Sequence, residues 1–414
     1  MGRVTELRCV LCDSVYDPGS VEYTCPACGP DGTLDILYDY GEAVRTLTPD
    51  SLRGRRRDLW RYREILPVED DAYIPPLSVG WTPLYSAPSL SERYDAAEVW
   101  VKDDGRNPTG SLKDRASAVG VARAFAAGKR TVACASTGNA ASSLAGFAAV
   151  AGLQSVIFVP ESAPAAKVAQ LLVYGATVIL VRGHYGDAFA LAAAAIERYG
   201  WYNRSCAINP YLVEGKKTCA LEIAEQLGWD VPDRIFIAVG DGCCISGLYK
   251  GFWELLRMGL VRSIPKIVGV QAEGASPLYD AVRSGRDFVA FGPANTVADS
   301  ISVGEPRNWA KALRAVRSSQ GDMIAVSDEE ILSAIPELAR SCGVFAEPAG
   351  AAAFAGFRKA SRGGAFAGER VAIVVTGNGL KDVQSARKSV GDPLVVSPSL
   401  EELTNILKGE GACA

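Results

Sequence analysis

Residues 107–115 have the sequence Asn-Pro-Thr-Gly-Ser-Leu-Lys-Asp-Arg, and this stretch decides how the rest of the chain is interpreted. Its proline and glycine predict a turn, and Ser111 is a residue type that favours the N-cap of a helix. The alanine-rich segment from Ala116 to Ala127 predicts the helix itself. Lys113 would then lie in a first helical turn, where the helix dipole disfavours a cation. Such a lysine suits a neutral nucleophile, although a solvated lysine fits this stretch alone equally well.

These nine residues resemble the cofactor-lysine segment of the threonine synthase branch of the fold-type II pyridoxal phosphate (PLP) enzymes, in the tryptophan synthase β-like superfamily. They are less similar to the same segment in threonine and serine dehydratases and cysteine synthases. The resemblance implies that Lys113 carries PLP as a Schiff base. Further motifs of the family follow in order through most of the chain, so the resemblance is not confined to one segment.

Composition excludes several classes of function. The chain has 414 residues and a net charge of −4, which gives no reason to expect nucleic acid or a membrane surface as a partner. Met1-Gly2-Arg3 leads directly into polar sequence without a signal peptide, so we expect a cytoplasmic enzyme with a small amino-acid substrate. The single histidine, His184, is expected in a loop or at the surface, which excludes most histidine-based chemistry. The family suggests a homodimer.

Residues 1–40 predict a separate zinc-ribbon-like unit. It contains two Cys-x-x-Cys pairs separated by 12 residues: Cys9, Cys12, Cys25 and Cys28. Four thiolates on two tight turns suit a tetrahedral structural Zn²⁺ and leave no open position for catalysis. A ribbon that folds without metal is the alternative, because many threonine synthase relatives keep the ribbon with incomplete ligands. A redox role is disfavoured, since no thioredoxin-like βαβ pattern surrounds the pairs.

From residue 98 onward, apolar runs alternate with alanine-rich helical segments. The runs that predict strands are Glu98–Lys102, Thr131–Ala135, Ser155–Pro160, Thr177–Val181, Arg234–Val239, Ile267–Gln271 and Val371–Thr376. This alternation predicts an α/β fold with mostly parallel sheets covered on both faces. We expect a catalytic region of two open α/β domains over residues 41–395, with the smaller domain at roughly 110–200. Residues 396–414 are expected to form a tail with a short helix.

Three further loops are expected at the carboxyl ends of these strands, where ligands gather in such folds. The first, residues 136–142, has small residues that present backbone N–H groups to an anion. The resemblance implies that Asn139 contacts the 3-hydroxyl of PLP. It also implies that this loop grips the substrate α-carboxylate, through Ser136, Thr137 and Gly138, with Ala140 beside them. An ordinary N-cap and tight turn is the alternative.

The second loop, residues 240–247, has the composition of a phosphate-binding turn before a helix. It resembles the loop that holds the PLP 5′-phosphate in the family, although relatives often carry Gly-Asn-x-Gly-Asn here. The acid at Asp241 must point away from a phosphate, so we expect binding through the backbone amides of Gly240, Gly242, Cys243 and Cys244.

The third loop, Thr-Gly-Asn-Gly-Leu-Lys-Asp at residues 376–382, resembles the family segment whose threonine faces the pyridine nitrogen. A neutral hydroxyl at Thr376 stabilises a pyridinium less than a carboxylate would, which favours elimination and replacement over transamination. Residues 347–352 resemble another loop near the ring, and the role of Glu347 is left open.

The substrate pocket departs from the family. Threonine synthases bind the phosphate of O-phosphohomoserine partly through Asn-Ser-x-Asn-Pro-Tyr-Arg, and here Cys206, Ala207 and Leu212 replace the Asn, Ser and Arg. Ala140 replaces a further threonine. A phosphate dianion needs charge-assisted donors, and losing them is expected to cost several kcal/mol at roughly 1.5–3 kcal/mol each. Arg115 is assigned to substrate binding, and Lys102 and Lys216 are further candidate cations.

We therefore predict a PLP-dependent lyase or transferase that eliminates or replaces a group at Cβ or Cγ of an amino acid lacking that phosphate. The alternatives are threonine synthase itself, a threonine or serine dehydratase-like enzyme, and a β-replacing synthase. A catalytically idle PLP-binding protein is disfavoured by Lys113, Asn139 and Thr376. A dinucleotide enzyme is disfavoured because Gly-x-Gly-x-x-Gly does not follow the first strand.

Overall fold

Three β-sheets organise the chain, which we describe from a computed structural model covering residues 3–163 and 165–409. The strands are β1 (Val4–Cys9), β2 (Val15–Tyr16), β3 (Leu34–Tyr38), β4 (Leu84–Ser86), β5 (Glu98–Asp103), β6 (Thr131–Ala135), β7 (Gln154–Pro160), β8 (Thr177–Val181), β9 (Tyr202–Asn203), β10 (Arg234–Ala238), β11 (Lys266–Ala272), β12 (Asp322–Val326) and β13 (Arg370–Val375).

Helices separate most of these strands. They are α1 (Tyr40–Thr46), α2 (Pro49–Arg53), α3 (Pro88–Arg93), α4 (Lys113–Ala126), α5 (Asn139–Val150), α6 (Ala165–Val173), α7 (Tyr185–Tyr199), α8 (Tyr211–Gln226), α9 (Cys243–Arg257), α10 (Pro277–Arg283), α11 (Trp309–Ser318), α12 (Asp328–Cys342), α13 (Pro348–Ala360), α14 (Val383–Lys388) and α15 (Leu400–Gly409).

The larger sheet has six strands in the order β12, β11, β10, β13, β5, β4. All neighbours are parallel except the edge pair of β4 with β5. Alternate residues of β10 enter opposite cores: Ile235 and Ile237 pack with α8, α9 and α11, while Phe236 packs with α12 and α13. A sheet buried on both faces requires strands that are apolar on both sides, which is why these strands are continuous apolar runs in the sequence.

The second sheet has four parallel strands in the order β8, β7, β6, β9. Helices α4, α5 and α6 cover one face, and α7 covers the other. The predicted mixed α/β fold with parallel sheets is thereby confirmed. The proposed boundaries of the two α/β domains stay a prediction.

The N-terminal unit forms its own antiparallel sheet, in the order β2, β1, β3, but it shares its core with the catalytic region. Leu34 and Ile36 are fully buried in the cluster that contains α8, α9 and α11. The Tyr38 hydroxyl donates to Glu214 at 2.8 Å, and the Tyr40 hydroxyl donates to Glu254 at 3.0 Å. The cysteine-bearing unit is therefore packed against the two helices that reach the candidate site.

Several sequence expectations need correction or extension. Helix α4 begins at Lys113 itself, and Leu112 rather than Ser111 occupies the N-cap position, without a side-chain cap. Strand β12 was missed because the segment Asp322–Val326 is short and begins with an acid. The predicted C-terminal helix is α15, and the remaining tail, 410–414, lies outside the described residues.

Candidate active site

Lys113 is positioned by pairing between its own turn and the loop after β13. The amide of Leu112 donates to the Thr376 carbonyl at 2.9 Å, and the amide of Asn378 donates to the Gly110 carbonyl at 3.0 Å. Gly110 adopts a φ of +87°, which favours glycine and turns the chain into α4. Two of the predicted loops therefore meet at the start of this helix.

The Lys113 amine has no salt bridge within the described residues. Its neighbour Asp114 turns away, is fully buried, and accepts from the Thr109 amide at 2.6 Å and from the Thr109 hydroxyl. The nearest polar partner of Lys113 Nζ is the Cys244 thiol, at 3.8 Å. No carboxylate among the described residues therefore holds this amine, which leaves it available to react. This arrangement favours the nucleophilic role.

Asn139 is held by two acceptors at the start of α5. Its Nδ2 donates to Glu347 Oε1 at 2.6 Å and to Ser300 Oγ at 3.1 Å. Asn139 is only 5% exposed, and its Oδ1 has no donor among the residues that the structure describes. The oxygen is therefore the atom available to a ligand. Beside it, the amide of Gly138 donates to Ser136 Oγ at 3.2 Å, which shapes the turn predicted to bind a carboxylate.

Glu347 is the hydrogen-bond partner of Asn139, and the sequence had left its role open. It is 6% exposed, and burial raises the pKa of its carboxyl to about 7, against the opposing effects of Lys381 and the Asn139 hydrogen bond. A group that titrates near neutral pH, in contact with a candidate cofactor residue, is typical of functional sites. Sequence alone gave no role for Glu347, because its partner is distant along the chain.

The loop at 240–244 leads into the N-terminus of α9. Gly242 has a φ of +90°, and a side chain there would meet the Asn308 carbonyl at 2.9 Å. The amides of Gly242, Cys243 and Cys244 have no acceptor among the described residues, so they can bind an anion at the helix N-terminus. The acid in this loop does not interfere, because Asp241 Oδ1 accepts from the Arg307 amide at 2.8 Å.

A cavity of about 520 Å³ is lined by the turn at 107–110, by residues 137–142 and by the loop after β13; Lys113, Thr376 and the loop at 240–244 are not among its lining residues. Asn139 and Glu347 line it from two sides, and Lys167 and Lys381 contribute amines. Lys167 is paired with Asp299, which also lines the cavity. Lys381 donates to the Thr109 carbonyl at 2.8 Å and to Ser142 Oγ at 3.1 Å, and no carboxylate lies within ion-pair distance of it among the described residues. Lys381 is therefore the cavity amine that is free to meet an anionic group.

Thr376 lies at the end of β13 and is 8% exposed. Its carbonyl is used by Leu112, whereas its hydroxyl has no hydrogen bond within the described part of the chain. The hydroxyl is available to a ring nitrogen, as the resemblance implies.

Arg115 requires a correction. It was expected to bind substrate, but it is fully buried and points away from the cavity. Its guanidinium is paired with Asp104 at 2.7 Å and with Glu222, and it also donates to Thr218 at 2.9 Å. Lys102 is likewise fully buried and pairs with Glu222 at 2.7 Å. These two cations form a structural network and have no donor to offer a substrate.

The replaced positions near residue 206 do not all face the site. Leu212 is fully buried between α8 and α4, where a side chain at Gly120 would meet its Cδ2 at 2.5 Å. Leu212 is not among the residues that line the cavity. Cys206 does approach the site, because Arg204 Nη1 lies 3.6 Å from its sulfur and Arg204 Nη2 lies 3.4 Å from the Lys113 carbonyl. Ala207 is buried.

The four N-terminal cysteines form one cluster. The sulfur atoms of Cys9, Cys12, Cys25 and Cys28 all lie within 4.8 Å of one another. The Cys12 and Cys25 sulfurs are 3.7 Å apart, close to the roughly 3.8 Å edge of a tetrahedron with Zn–S bonds of about 2.3 Å. The donor set and the spacing fit a structural metal.

Some candidate residues had no clear signal in the sequence. Ser300 and Lys167 lie outside every motif and reach the cavity only through folding. Lys381 belongs to the third loop, where it could have been noticed as a lysine beside the predicted ring-binding threonine.

Comparison with known proteins identifies relatives over nearly the full chain. The sequence profile of the family described as "Pyridoxal-phosphate dependent enzyme" matches residues 76–377. The chain is 41% identical to threonine synthase of Methanocaldococcus jannaschii over 97% of this chain and 99% of that protein. It is also 41% identical to threonine synthase of Methanosarcina acetivorans over 98% and 99%, respectively.

Solved structures share the fold at lower identity. Serine racemase from maize has a TM-score of 0.63 and 22% identity, and the match covers 80% of this chain and 92% of that one. Diaminopropionate ammonia lyase from Escherichia coli has a TM-score of 0.66 and 16% identity, covering 79% and 95%. Among the described residues, no helix has the length and apolar character needed to cross a membrane.

Proposed function

Since the chain belongs to the pyridoxal-phosphate-dependent enzyme family and is a lyase of the threonine synthase type, we propose that Lys113 is its PLP-binding lysine and catalytic base. We further propose that the enzyme acts at Cβ or Cγ of an amino acid whose side chain carries no phosphate. The main support for this proposal is that Lys113 has no counter-ion among the described residues and lies near three loops, 136–142, 240–247 and 376–382. Each of these loops has a polar group without a hydrogen-bond partner in the described part of the chain.

The residues present fit the cofactor. The free amides at Gly242, Cys243 and Cys244 suit its phosphate, the Asn139 Oδ1 suits its 3-hydroxyl, and the Thr376 hydroxyl suits its ring nitrogen. When bound, PLP supplies an electron sink for carbanion chemistry. This fit supports the assignment of these residues and of Gly240, whose added side chain would meet Ile301 Cα at 3.0 Å.

The chain's own groups then have distinct tasks. Lys113 would hold the cofactor and, with its amine free, Lys113 Nζ would remove the proton from the substrate α-carbon and return it later in the reaction. The turn at Ser136, Thr137 and Gly138 orients the substrate carboxylate, with Lys381 as the nearby amine. Glu347 keeps the Asn139 amide in place through its 2.6 Å hydrogen bond.

The charges of the cavity support a substrate without a phosphate. The cavity has two amines, and Lys167 is already paired with Asp299. Among the residues that line this cavity, Lys381 is the amine without a carboxylate partner, and serving an α-carboxylate leaves it unavailable to a phosphate dianion; Lys216 is not a lining residue. The cavity wall also carries Glu347 and Asp382, whose charges oppose a second anionic group.

A panel of amino acids tests this proposal. The purified enzyme should release product from an amino acid with an uncharged side chain, such as serine, threonine, an O-acyl-homoserine or a similar amino acid. Mass spectrometry detects the product. O-phosphohomoserine is expected to be a poor substrate, and the Lys113→Ala variant is expected to be inactive with all of them. Efficient conversion of O-phosphohomoserine to threonine would refute the substrate proposal, while loss of that activity in Lys113→Ala would still support the role of Lys113.

Threonine synthase is the second candidate function. It is favoured by relatives with that name at 41% identity over nearly the whole chain. The same panel decides between the two, because only threonine synthase requires the phosphate as leaving group.

We also propose that Cys9, Cys12, Cys25 and Cys28 bind one structural Zn²⁺. The 3.7 Å separation of two sulfurs and the four-thiol donor set support this assignment. Metal analysis of the purified protein is expected to give one zinc per chain, and metal-free protein that unfolds at the same temperature would contradict it.

A further inference from the structure

Lys216 is a buried lysine without a carboxylate partner. It is 3% exposed and lies on α8. Its neighbours on α8 and α9, Lys217 and Lys250, are each paired with both Glu214 and Glu254 at 2.6–2.8 Å. No carboxylate lies within ion-pair distance of Lys216 in the described part of the chain. A lysine side chain buried to this extent, without a carboxylate partner among the described residues, is a suitable donor for an anion.

The surroundings of Lys216 place that anion at the N-terminus of α9. A side chain at Gly247 would lie 2.9 Å from Lys216 Cβ, so the two helices are in close contact within the first two turns of α9. The charge of the Lys216 ammonium interacts electrostatically with the thiols of Cys206, Cys243 and Cys244. Two of these three residues belong to the loop whose free amides form the proposed phosphate site.

In the protein alone, the group beside Lys216 that can take a negative charge is the Cys206 thiol. Contact with Cys243 lowers the pKa of the Cys206 thiol well below its usual range, and the charges of Lys216 and Arg204 add to this effect despite burial. Arg204 Nη1 lies 3.6 Å from the same sulfur. Burial alone would lower the pKa of the Lys216 ammonium, but its electrostatic interaction with Cys206 raises that pKa above its usual range.

We propose that Lys216 binds the 5′-phosphate of PLP, and that the phosphate replaces the Cys206 sulfur as its partner. The inference rests on the proposed cofactor role of the loop at 240–244. That loop offers neutral amides, its acid is turned toward Arg307, and a phosphate dianion binds best where a charged donor adds to such amides.

The test compares PLP with pyridoxal, which has the same ring and aldehyde but lacks the phosphate. In apoenzyme titrations followed by the visible absorbance of lysine-bound cofactor, Lys216→Met is expected to raise the apparent Kd for PLP about 10- to 100-fold. The Kd for pyridoxal is expected to change less than about 2-fold. Lys216→Arg keeps the charge and should retain most of the affinity, and Lys388→Met, which removes an exposed lysine on α14, should leave both values unchanged.

A second readout follows the thiol. Peptide mass spectrometry after timed treatment with iodoacetamide is expected to show that PLP slows alkylation of Cys206 in the wild-type protein. In Lys216→Met, Cys206 should react slowly even without PLP, since its thiolate has lost a stabilising cation. Equal alkylation of Cys206 in the two apoproteins would overturn the pairing of Lys216 with the thiolate.

Three affinity outcomes would overturn the assignment. The first is an unchanged Kd for PLP in Lys216→Met with no other change. The second is an equal loss of affinity for PLP and for pyridoxal. The third is an unchanged Kd for PLP together with a raised KM for a phosphorylated substrate. The last would place the substrate's phosphate at Lys216 instead. Failure of the proposed function is seen separately, because it would appear as a visible cofactor band that survives Lys113→Ala in a chain with Lys216 intact.

Discussion

Replacing Glu347 with glutamine is expected to make the protein more stable at alkaline pH and nearly unchanged at acidic pH. The Glu347 carboxyl is buried, and its pKa rises from an ordinary 4.5 to about 7. Between these values the folded protein holds a proton that the unfolded chain has released, so its stability falls as pH rises through this window. At about 1.4 kcal/mol per pKa unit, the loss reaches roughly 3 kcal/mol above pH 7.

Glutamine removes this loss because it keeps the shape of the side chain without the titration. Its amide oxygen can still accept from Asn139 Nδ2, which lies 2.6 Å from Glu347 Oε1. Thermal or urea unfolding of both apoproteins at pH 5 and pH 8 measures the effect. Glu92→Gln, which changes an exposed carboxylate on α3, is the matched control and should show no difference with pH. A stability difference between Glu347→Gln and the wild type that is the same at both pH values would refute the reasoning.

Two further predictions test other parts of the structure. Arg115→Met is expected to lower the free energy of unfolding by about 3–5 kcal/mol, because it leaves Asp104 and Glu222 with an uncompensated buried charge. The KM for the amino acid should stay unchanged. A raised KM at unchanged stability would show that Arg115 belongs to the substrate site after all. If the proposed Zn²⁺ is bound, its removal with a chelator is expected to loosen the N-terminal unit and to release Tyr38 and Tyr40 from Glu214 and Glu254, seen as faster proteolysis in this segment. Unchanged cleavage would argue that the ribbon folds without metal.

The sequence predicted the fold well because its strands are apolar runs between alanine-rich helices. All seven predicted runs coincide with strands, namely β5, β6, β7, β8, β10, β11 and β13, to within one residue at each end. This pattern follows from burial on both faces, which is a local property of each strand. Short edge elements such as β9 carry little apolar signal, and they form only because a neighbouring strand is already in place.

The site was predicted less evenly. Lys113, Asn139 and Thr376 lie in motifs whose spacing and small residues are visible in the sequence. Which way a charged side chain points is decided by distant partners: Arg115 next to Lys113 is turned into the core by Asp104 and Glu222. The same holds for Leu212, whose apparent place in a substrate motif gave no hint that it packs against α4.

Identifying the lysine that carries PLP tests the account most directly. Reduction of the PLP-loaded protein with borohydride fixes the cofactor on its lysine, and peptide mass spectrometry then locates it. If Lys113 carries PLP, the label is expected on Lys113, at the start of α4 beside Cys244. A label on Lys216, Lys381 or any other lysine, with Lys113 unmodified, would contradict it.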